Sequence, residues 1–470
     1  MIARKITYNI IINGTAKVFS TALALFAIGM LTRYLGTDGF GKYTTMLAFF
    51  AFFSALGDFG LYSIATREIS REGAKESWIL SRIFTLRLVI STIIFLSSTL
   101  FVGFLPYEQD LKVSILIASG AFIFASGYGL LNGLYQKYIA MDKVAFVELS
   151  GKIIQICIIL TVVQLKLSFI VVAIALFTTM LWNFILLFFF SRKYTKISLC
   201  FDKVYWKKFL KESTPMGISA IVTFLYFKID AILLSFFQPQ SHVGIYGAAY
   251  KVIETLTFFP AMVIGLIFPL FSKYIFTKKD VFIEISNIIF RIFTIIVIPL
   301  VISTLFLAPD IIRIVGGAKF GESTLVLQIL IFALALIFYG HLFTNILIAS
   351  TLQKKLMYAL VCAAILNIIL NTILIPLYSY NGAAIVSVIT ELFVVISTIT
   401  IAIRHTPYTF VPIKFPQILL AGFVMTLIYF LLPFNEFVTA FFAVISYTTV
   451  LFIFRVITRD DIMHIRPKRS

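Results

Sequence analysis

The stretch STPMGISAIVTFLYFKIDAILLSFF, residues 213–237, is the key to the whole chain. Ser213 and Thr214 offer N-cap hydroxyls, and Pro215 comes next, where the first turn of a helix tolerates it. The apolar run behind them is long enough to cross a bilayer, for which about 20 residues suffice. Lys228 and Asp230 interrupt that run. A charge at the membrane centre costs about 3 kcal/mol on insertion scales, so both are expected to face a neighbouring helix or a polar cavity. The stretch also opens the second half of the chain, because the residues after it echo those after the first apolar segment.

Across the full length, 60% of the residues are hydrophobic and 13% charged, with a mean hydropathy of +1.02. Soluble domains carry about 25% charged residues, so this is an integral membrane protein. The apolar runs are continuous, which excludes the alternating pattern of a membrane β-barrel. Spans are expected near 10–32, 43–64, 83–105, 113–135, 145–165, 168–190, 214–237, 249–271, 288–308, 323–349, 357–377, 382–403, 416–433 and 437–454. The first is read as a retained span, not a cleaved signal.

A net charge of +18 could suggest nucleic acid, but the placement of the charges argues otherwise. One side of the expected topology collects Arg4, Lys5, Arg67, Arg71, Lys75, Arg82, Lys137, Lys143, Lys273, Lys354, Lys355, Arg404 and the basic linker from Arg192 to Lys211. The other side has only Arg33, Lys42, Lys112, Lys166, Arg313 and Lys319. This asymmetry places both termini in the cytoplasm of an inner or plasma membrane protein and removes the need for a nucleic-acid partner. Within the linker, VYWKKFLK (204–211) sets aromatic residues against lysines, as in a short helix lying on a membrane surface; a solvated charged loop is the alternative.

Weak echoes recur at near-constant spacing. Gly41-x-Tyr43 and Gly244-x-Tyr246 are 203 positions apart, Arg87 and Arg291 are 204, and Asn132 and Asn345 are 213. The fold class expected is therefore all-α: about 14 transmembrane helices, two six-helix lobes in parallel repeat and two C-terminal helices. The expected division is an N-terminal lobe 1–190, a linker 191–213, a second lobe 214–405, and helices 13 and 14 with a basic tail over 406–470.

Asn13, RYLGTDGFGKY (33–43), LGDFGL (56–61) and Arg67-Glu68 resemble the opening of the Wzx-type polysaccharide flippases, within the multidrug/oligosaccharidyl-lipid/polysaccharide exporter superfamily. KIDAILL (228–234) and VGIYGAAYK (243–251) resemble the start of their second half. The resemblance implies two lobes around a cavity open to one side at a time. It also implies movement of an undecaprenyl-diphosphate-linked oligosaccharide from the cytoplasmic to the outer leaflet, for cell-surface polysaccharide such as O-antigen. A lipid-linked oligosaccharide and membrane lipids are the partners implied, with a polysaccharide polymerase and chain-length machinery beyond them, and the unit is expected to act as a monomer.

Such a substrate joins an anionic diphosphate to a polar glycan and an apolar tail. Lys17, Arg33, Arg87, Lys152, Lys228, Lys251 and Arg291 supply a cationic set for it, because Arg grips phosphate in bidentate fashion and Lys as a point charge. Lys17, Arg87, Lys152 and Arg291 sit near span ends, where snorkelling to headgroups is the alternative. Asp58, Asp230, Glu254, Asn367, Asn371 and Glu391 are the residues for charge pairing or cation coupling. Asn367 and Asn371 share a helical face, and Na⁺ or H⁺ coupling at Asp230 with these two is one reading. Lipid II flippases are similar in placing polar residues there, but carry an acidic residue where this chain has Asn371. The other reading pairs Asp230 with Lys228 or Lys251.

The chain has no phosphate-binding loop, catalytic constellation or metal spacing, and Cys157, Cys200 and Cys362 lie far apart. No cofactor and no enzymatic activity are expected. Two other functions stay open here: a drug/cation antiporter of the same architecture, and a membrane polysaccharide polymerase or glycosyltransferase, which should show a sizeable catalytic loop.

Overall fold

A computed structural model describes residues 2–71, 73–138, 140–411, 414–432 and 435–456, with side chains from residue 19 onward except Thr21. Fourteen helices occur in chain order: α1 (Ile2–Asp58), α2 (Leu61–Ser70), α3 (Glu76–Gly103), α4 (Gln109–Lys137), α5 (Met141–Leu165), α6 (Phe169–Ser191), α7 (Lys203–Phe237), α8 (Gln240–Leu256), α9 (Phe258–Tyr274), α10 (Lys279–Val315), α11 (Ser323–Ala349), α12 (Gln353–His405), α13 (Phe415–Leu431) and α14 (Glu436–Ile453). Ten stretches, α8 and α9 counting as one, are long and apolar enough to span a membrane, and the bent pair of Ala22–Asp58 with Leu61–Ser70 makes an eleventh.

Every expected span falls on helix, but two pairs of them share one helix where loops were expected. α1 breaks at Gly36, whose φ of 66° and ψ of −170° suit a residue without Cβ. α12 breaks at Ser379, with φ 51° and ψ −132°. In an unbroken helix residues 374 and 382 would be about 12 Å apart. Instead a Cβ on Gly382 would stand 2.7 Å from the Leu374 carbonyl carbon, so the chain reverses at Ser379. Both breaks fall inside the connections expected at 33–42 and 378–381, which the chain makes in a residue or two instead of a loop.

The helices group into two compact units, Met1–Gly247 with Val315–Lys319, and Ala248–Ile314 with Phe320–Ser470. Contacts thus gather α7 with the first six expected spans, a grouping drawn differently from the lobes expected over 1–190 and 214–405. The reason is aromatic packing in the first unit: Phe52 lies against Phe224, with ring centres 5.4 Å apart, and Phe49 against Phe236 at 6.4 Å. Gly60 and Gly217 bring the α1–α2 break against the α7 backbone, because a Cβ on Gly60 would sit 2.7 Å from Gly217 N. Lys42 bonds Glu108 at 2.6 Å and Asp110 at 2.9 Å at one end of α4, and Lys137 bonds Glu76 and the Ile69 carbonyl at the other. The second half of α1 and α4 therefore run in the same direction.

The echo at 203 positions has a spatial counterpart in this unit. A Cβ on Gly41 would run into the Gln240 carbonyl and stand 3.0 Å from Gly244 N. A Cβ on Gly244 would run into the Thr37 carbonyl and stand 3.0 Å from Gly41 N. Thr44 meets Gly247 one turn further on. Each pair (37 and 240, 41 and 244, 44 and 247) has the same offset, so the contact is reciprocal, as elements related by a two-fold axis are where they cross it.

In the second unit, Ile418, Ala421, Met425, Ala443 and Tyr447 form a core between α13 and α14. Tyr447 Oη donates to the Ile295 carbonyl of α10 at 3.0 Å.

Candidate functional site

The most closely determined polar centre is Arg87 on α3. Its side chain is 3% exposed. Two other helices hold it. Asp58 ends α1, and its carboxylate accepts from Nη2; Ser126 Oγ on α4 accepts from Nε at 3.1 Å. The α1–α2 break that presents Asp58 is made by Phe59 and Gly60, both at positive φ. Gly129, one turn beyond Ser126, leaves open the space a side chain would fill, since a Cβ there would come 3.9 Å from Nη1. Nη1 is buried and bonds no described group. Arg87 therefore does not snorkel to a headgroup; it is fixed, paired with one carboxylate, and has one donor group to spare.

Around it the first unit is polar. Gln136 Nε2 donates to Tyr62 Oη at 2.6 Å, Tyr128 Oη to Glu148 at 2.6 Å, and Trp182 Nε1 to Ser150 Oγ at 3.0 Å. Lys152 Nζ donates to Gln155 at 2.8 Å on its own helix. Asn132 and Asn183 each keep a buried carbonyl oxygen that bonds no described group. Tyr62, Ser126, Tyr128, Trp182 and Asn183 are not among the residues that the sequence singles out. Polar side chains inside apolar spans are the signal that could have found them, and the charges outweigh it.

The other expected residues are dispersed. Arg33 is exposed and donates to the Gly29 carbonyl of its own helix at 2.7 Å. Lys17 lies on α1 with a side chain outside the described residues. Asp230 is 4% exposed and accepts from Tyr246 Oη at 3.1 Å, while Lys228 on the same helix is half-buried. In the second unit Lys251 pairs with Glu254 at 2.7 Å. Arg291 lines a cavity of about 310 Å³ with Asp280, Glu284, Asn287 and Val411. Asn287 closes it by donating to the Thr409 carbonyl at 2.9 Å and accepting from Val411 N at 3.0 Å, an anchoring role for the α12–α13 connector with no sequence signature.

Asn371 Nδ2 donates to Asn367 Oδ1 at 2.9 Å, and both are buried. The reversal at Ser379 lies midway between Asn367 and Glu391, and midway between Asn371 and Ser387, which brings these pairs level. Glu391 and Thr390 are buried too. Asp230 belongs to the first unit and the asparagines to the second. Among the described residues no group of His, Cys, Asp and Glu is arranged to hold a metal ion.

Residues 6–275, more than half of the chain, match a family described as "Polysaccharide biosynthesis protein". The chain belongs to that family. This bears out the resemblance carried by the 33–43 and 228–251 motifs. Across 94% of both chains this polysaccharide biosynthesis protein is 26% identical to "Probable low-salt glycan biosynthesis flippase Agl15" of Haloferax volcanii. Its fold is similar to that of the lipid II flippase MurJ in an inward closed conformation, with a TM-score of 0.79 at 17% identity over 96% of this chain and 100% of that one. It is also similar to an inward-facing multidrug resistance MATE transporter of the MOP superfamily, with a TM-score of 0.67 at 14% identity over 84% and 97%. The family fold is thus a polytopic all-α transporter fold, and these relatives are named for transport and flipping, not for catalysis.

Proposed function

We propose that this chain is a flippase for a lipid-linked glycan, working by alternating access. In the finer reading the cargo is an undecaprenyl-diphosphate-linked oligosaccharide. It moves from the cytoplasmic to the outer leaflet of the cell membrane to supply cell-surface polysaccharide, with both termini in the cytoplasm and the monomer as the working unit. The observation that carries the reading is Arg87: Asp58 and Ser126 fix the guanidinium in a membrane span, and its Nη1 is free to bond a phosphate oxygen. Charge-assisted bonds of this kind are the strong ones. Tyr128 and Trp182 nearby suit sugar faces, and the bare apolar flanks of α3 and α6 suit the tail.

Lys152, Lys228, Lys251, Arg33 and Arg291 are the further cationic positions, and Asp230 with Asn367, Asn371 and Glu391 the positions through which Na⁺ or H⁺ would drive the cycle. A polymerase and chain-length machinery would consume the product. The test is flipping of a fluorescent prenyl-diphosphate oligosaccharide in proteoliposomes, read by its accessibility from outside. Arg87→Ala is expected to abolish flipping and Arg87→Lys to restore part of it. Full transport by Arg87→Ala would end this assignment. Equal rates with and without Na⁺ and proton gradients, in wild type and Asp230→Asn alike, would remove the coupling role.

A further inference from the structure

The linker between α6 and α7 is shorter than the expected 191–213, because α7 begins at Lys203, takes in the 204–211 segment and carries Pro215 in its interior instead of its first turn. Nor are residues 192–202 the solvated loop of the alternative reading. Ser77 Oγ on α3 donates to the Lys196 carbonyl, Ser81 Oγ accepts from Ser198 N at 3.0 Å, and Thr85 Oγ1 accepts from Cys200 N at 2.8 Å. The three hydroxyls recur every fourth residue, about 6 Å apart along a helix. The linker groups recur every second residue, about 6.6 Å apart in extended chain. Because the two repeats match, the linker lies along α3 as a strap and tracks it from Ser77 to Thr85. That is about 12 Å of helix, leading from the end of a span into it.

With three of its backbone groups bonded to α3, the strap turns apolar side chains away from the protein. Leu199 is 64% exposed, Phe201 73% and Val204 84%. Arg192, Lys193, Lys196, Lys203, Lys207 and Lys208 surround them and are all exposed. The neighbouring aromatic residues are the interfacial kinds. Trp206 Nε1 donates to the Arg82 carbonyl at 2.9 Å, the Tyr205 ring meets Trp78 edge-on at 5.0 Å, and the Arg82 guanidinium lies 3.8 Å above the Trp78 ring. Asp202 holds Arg82 from below at 2.7 Å and caps the first turn of α7 through Tyr205 N.

We propose that residues 192–208 form a binding surface for anionic phospholipid, with Leu199, Phe201 and Val204 inserted beneath the headgroups and the surrounding lysines on their phosphates. The position argues for lipid over a soluble partner: the strap follows α3 from Ser77 to Thr85 and so reaches the start of the apolar span expected at 83–105, the boundary at which amphipathic segments lie. The charge argues for anionic headgroups, since a basic residue near such a surface gains about five-fold in binding. The proposal does not depend on which substrate is carried.

The test uses the full chain with its three cysteines replaced, in vesicles of phosphatidylcholine alone or mixed with phosphatidylglycerol. A single Phe201→Cys or Lys193→Cys carries an environment-sensitive dye. At 201 the dye is expected to be quenched by nitroxides on shallow acyl carbons and shielded from aqueous iodide, with the reverse at 193. Spin-labelled phosphatidylglycerol should be immobilised in preference to spin-labelled phosphatidylcholine. That preference should fall several-fold in Lys196→Gln/Lys203→Gln/Lys207→Gln/Lys208→Gln, with the thermal unfolding midpoint unchanged. Iodide access at 201 would make the strap a solvated loop and overturn the proposal. So would iodide protection without lipid quenching but with dye self-quenching that grows with protein density, which would mean a second copy covers the patch. An unchanged lipid preference in the Gln variant would overturn the anionic assignment.

Discussion

Arg87 and Arg291, the two arginines that the sequence pairs at a spacing of 204 positions, live in different surroundings. Arg87 is sealed in, with one carboxylate and one hydroxyl fixing its plane. Arg291 is half-buried on the wall of an open cavity that also holds Asp280 and Glu284. A guanidinium held rigid by groups on two other helices can present a donor at a set point; one in a mixed-charge cavity can move among several bonds. The first arrangement suits recognition, the second a site that rearranges.

The largest expected effect separates the two directly. Arg87→Ala leaves the Asp58 carboxylate without its cation inside the protein, a change that costs about 3 kcal/mol when a buried pair is broken. Arg291→Ala should cost under about 1 kcal/mol, because Arg291 is only half-buried, on a cavity wall. Thermal unfolding in detergent measures both, and equal losses would mean the environments are alike after all. The double variant Asp58→Asn/Arg87→Gln should recover most of the stability and none of the transport.

The reciprocal glycine contact gives the next effect. Gly41→Ala and Gly244→Ala should each destabilise by about 2 kcal/mol, the scale of forced overpacking, and by similar amounts. Strongly unequal losses would count against a symmetric crossing of α1 and α8.

A smaller effect depends on pH. Asp202 lies outside the spans, and the hydrogen bond from Arg82, then that from the Tyr205 amide, holds its carboxyl below the usual carboxylate range. A depressed folded pKa means the pairing stabilises the strap above the unfolded value of about 4 and is lost as pH falls through the lower, folded value. Protease cleavage within 192–202 should stay constant at neutral pH and rise only in that acid window. Asp202→Asn should cleave readily throughout. The smallest change expected is Asn371→Ala, about 0.6 kcal/mol for one interhelical or intrahelical amide bond in a membrane protein.

Much of the fold is legible in the sequence because lipid imposes a simple rule: about 20 apolar residues make a span, and interruptions mark function or ends. Lys228 and Asp230 stand out on that ground, and Asp230 is buried. The rule places connections at 33–42 and 378–381 but does not show their form, a break at Gly36 and another at Ser379 inside otherwise continuous helix, since one residue at positive φ leaves almost no trace in hydropathy. The site is legible only in its charges. Arg87 stands out, whereas Ser126 and Asn287 do not, because their roles arise from residues far away in sequence: Ser126 meets α3, and Asn287 meets Thr409 and Val411. The strap is visible as a basic segment, but the match of Ser77, Ser81 and Thr85 to alternate linker residues exists only once the two run side by side.

The crossing of α1 and α8 also works as a bearing. Helices normally interlock through side-chain ridges, and sliding one past the other means repacking rotamers. Where Gly41 faces Gly244, backbone meets backbone, and the side-chain links beside it are Thr44 against Gly247 and the bond from Thr45 Oγ1 to Gln240 Oε1 at 2.7 Å. The start of α8 therefore has few ridges to disengage from α1, whereas the phenylalanine pairs between α1 and α7 interlock. A side chain added at either glycine would act as a wedge, and its effect should grow with its length and be indifferent to its polarity.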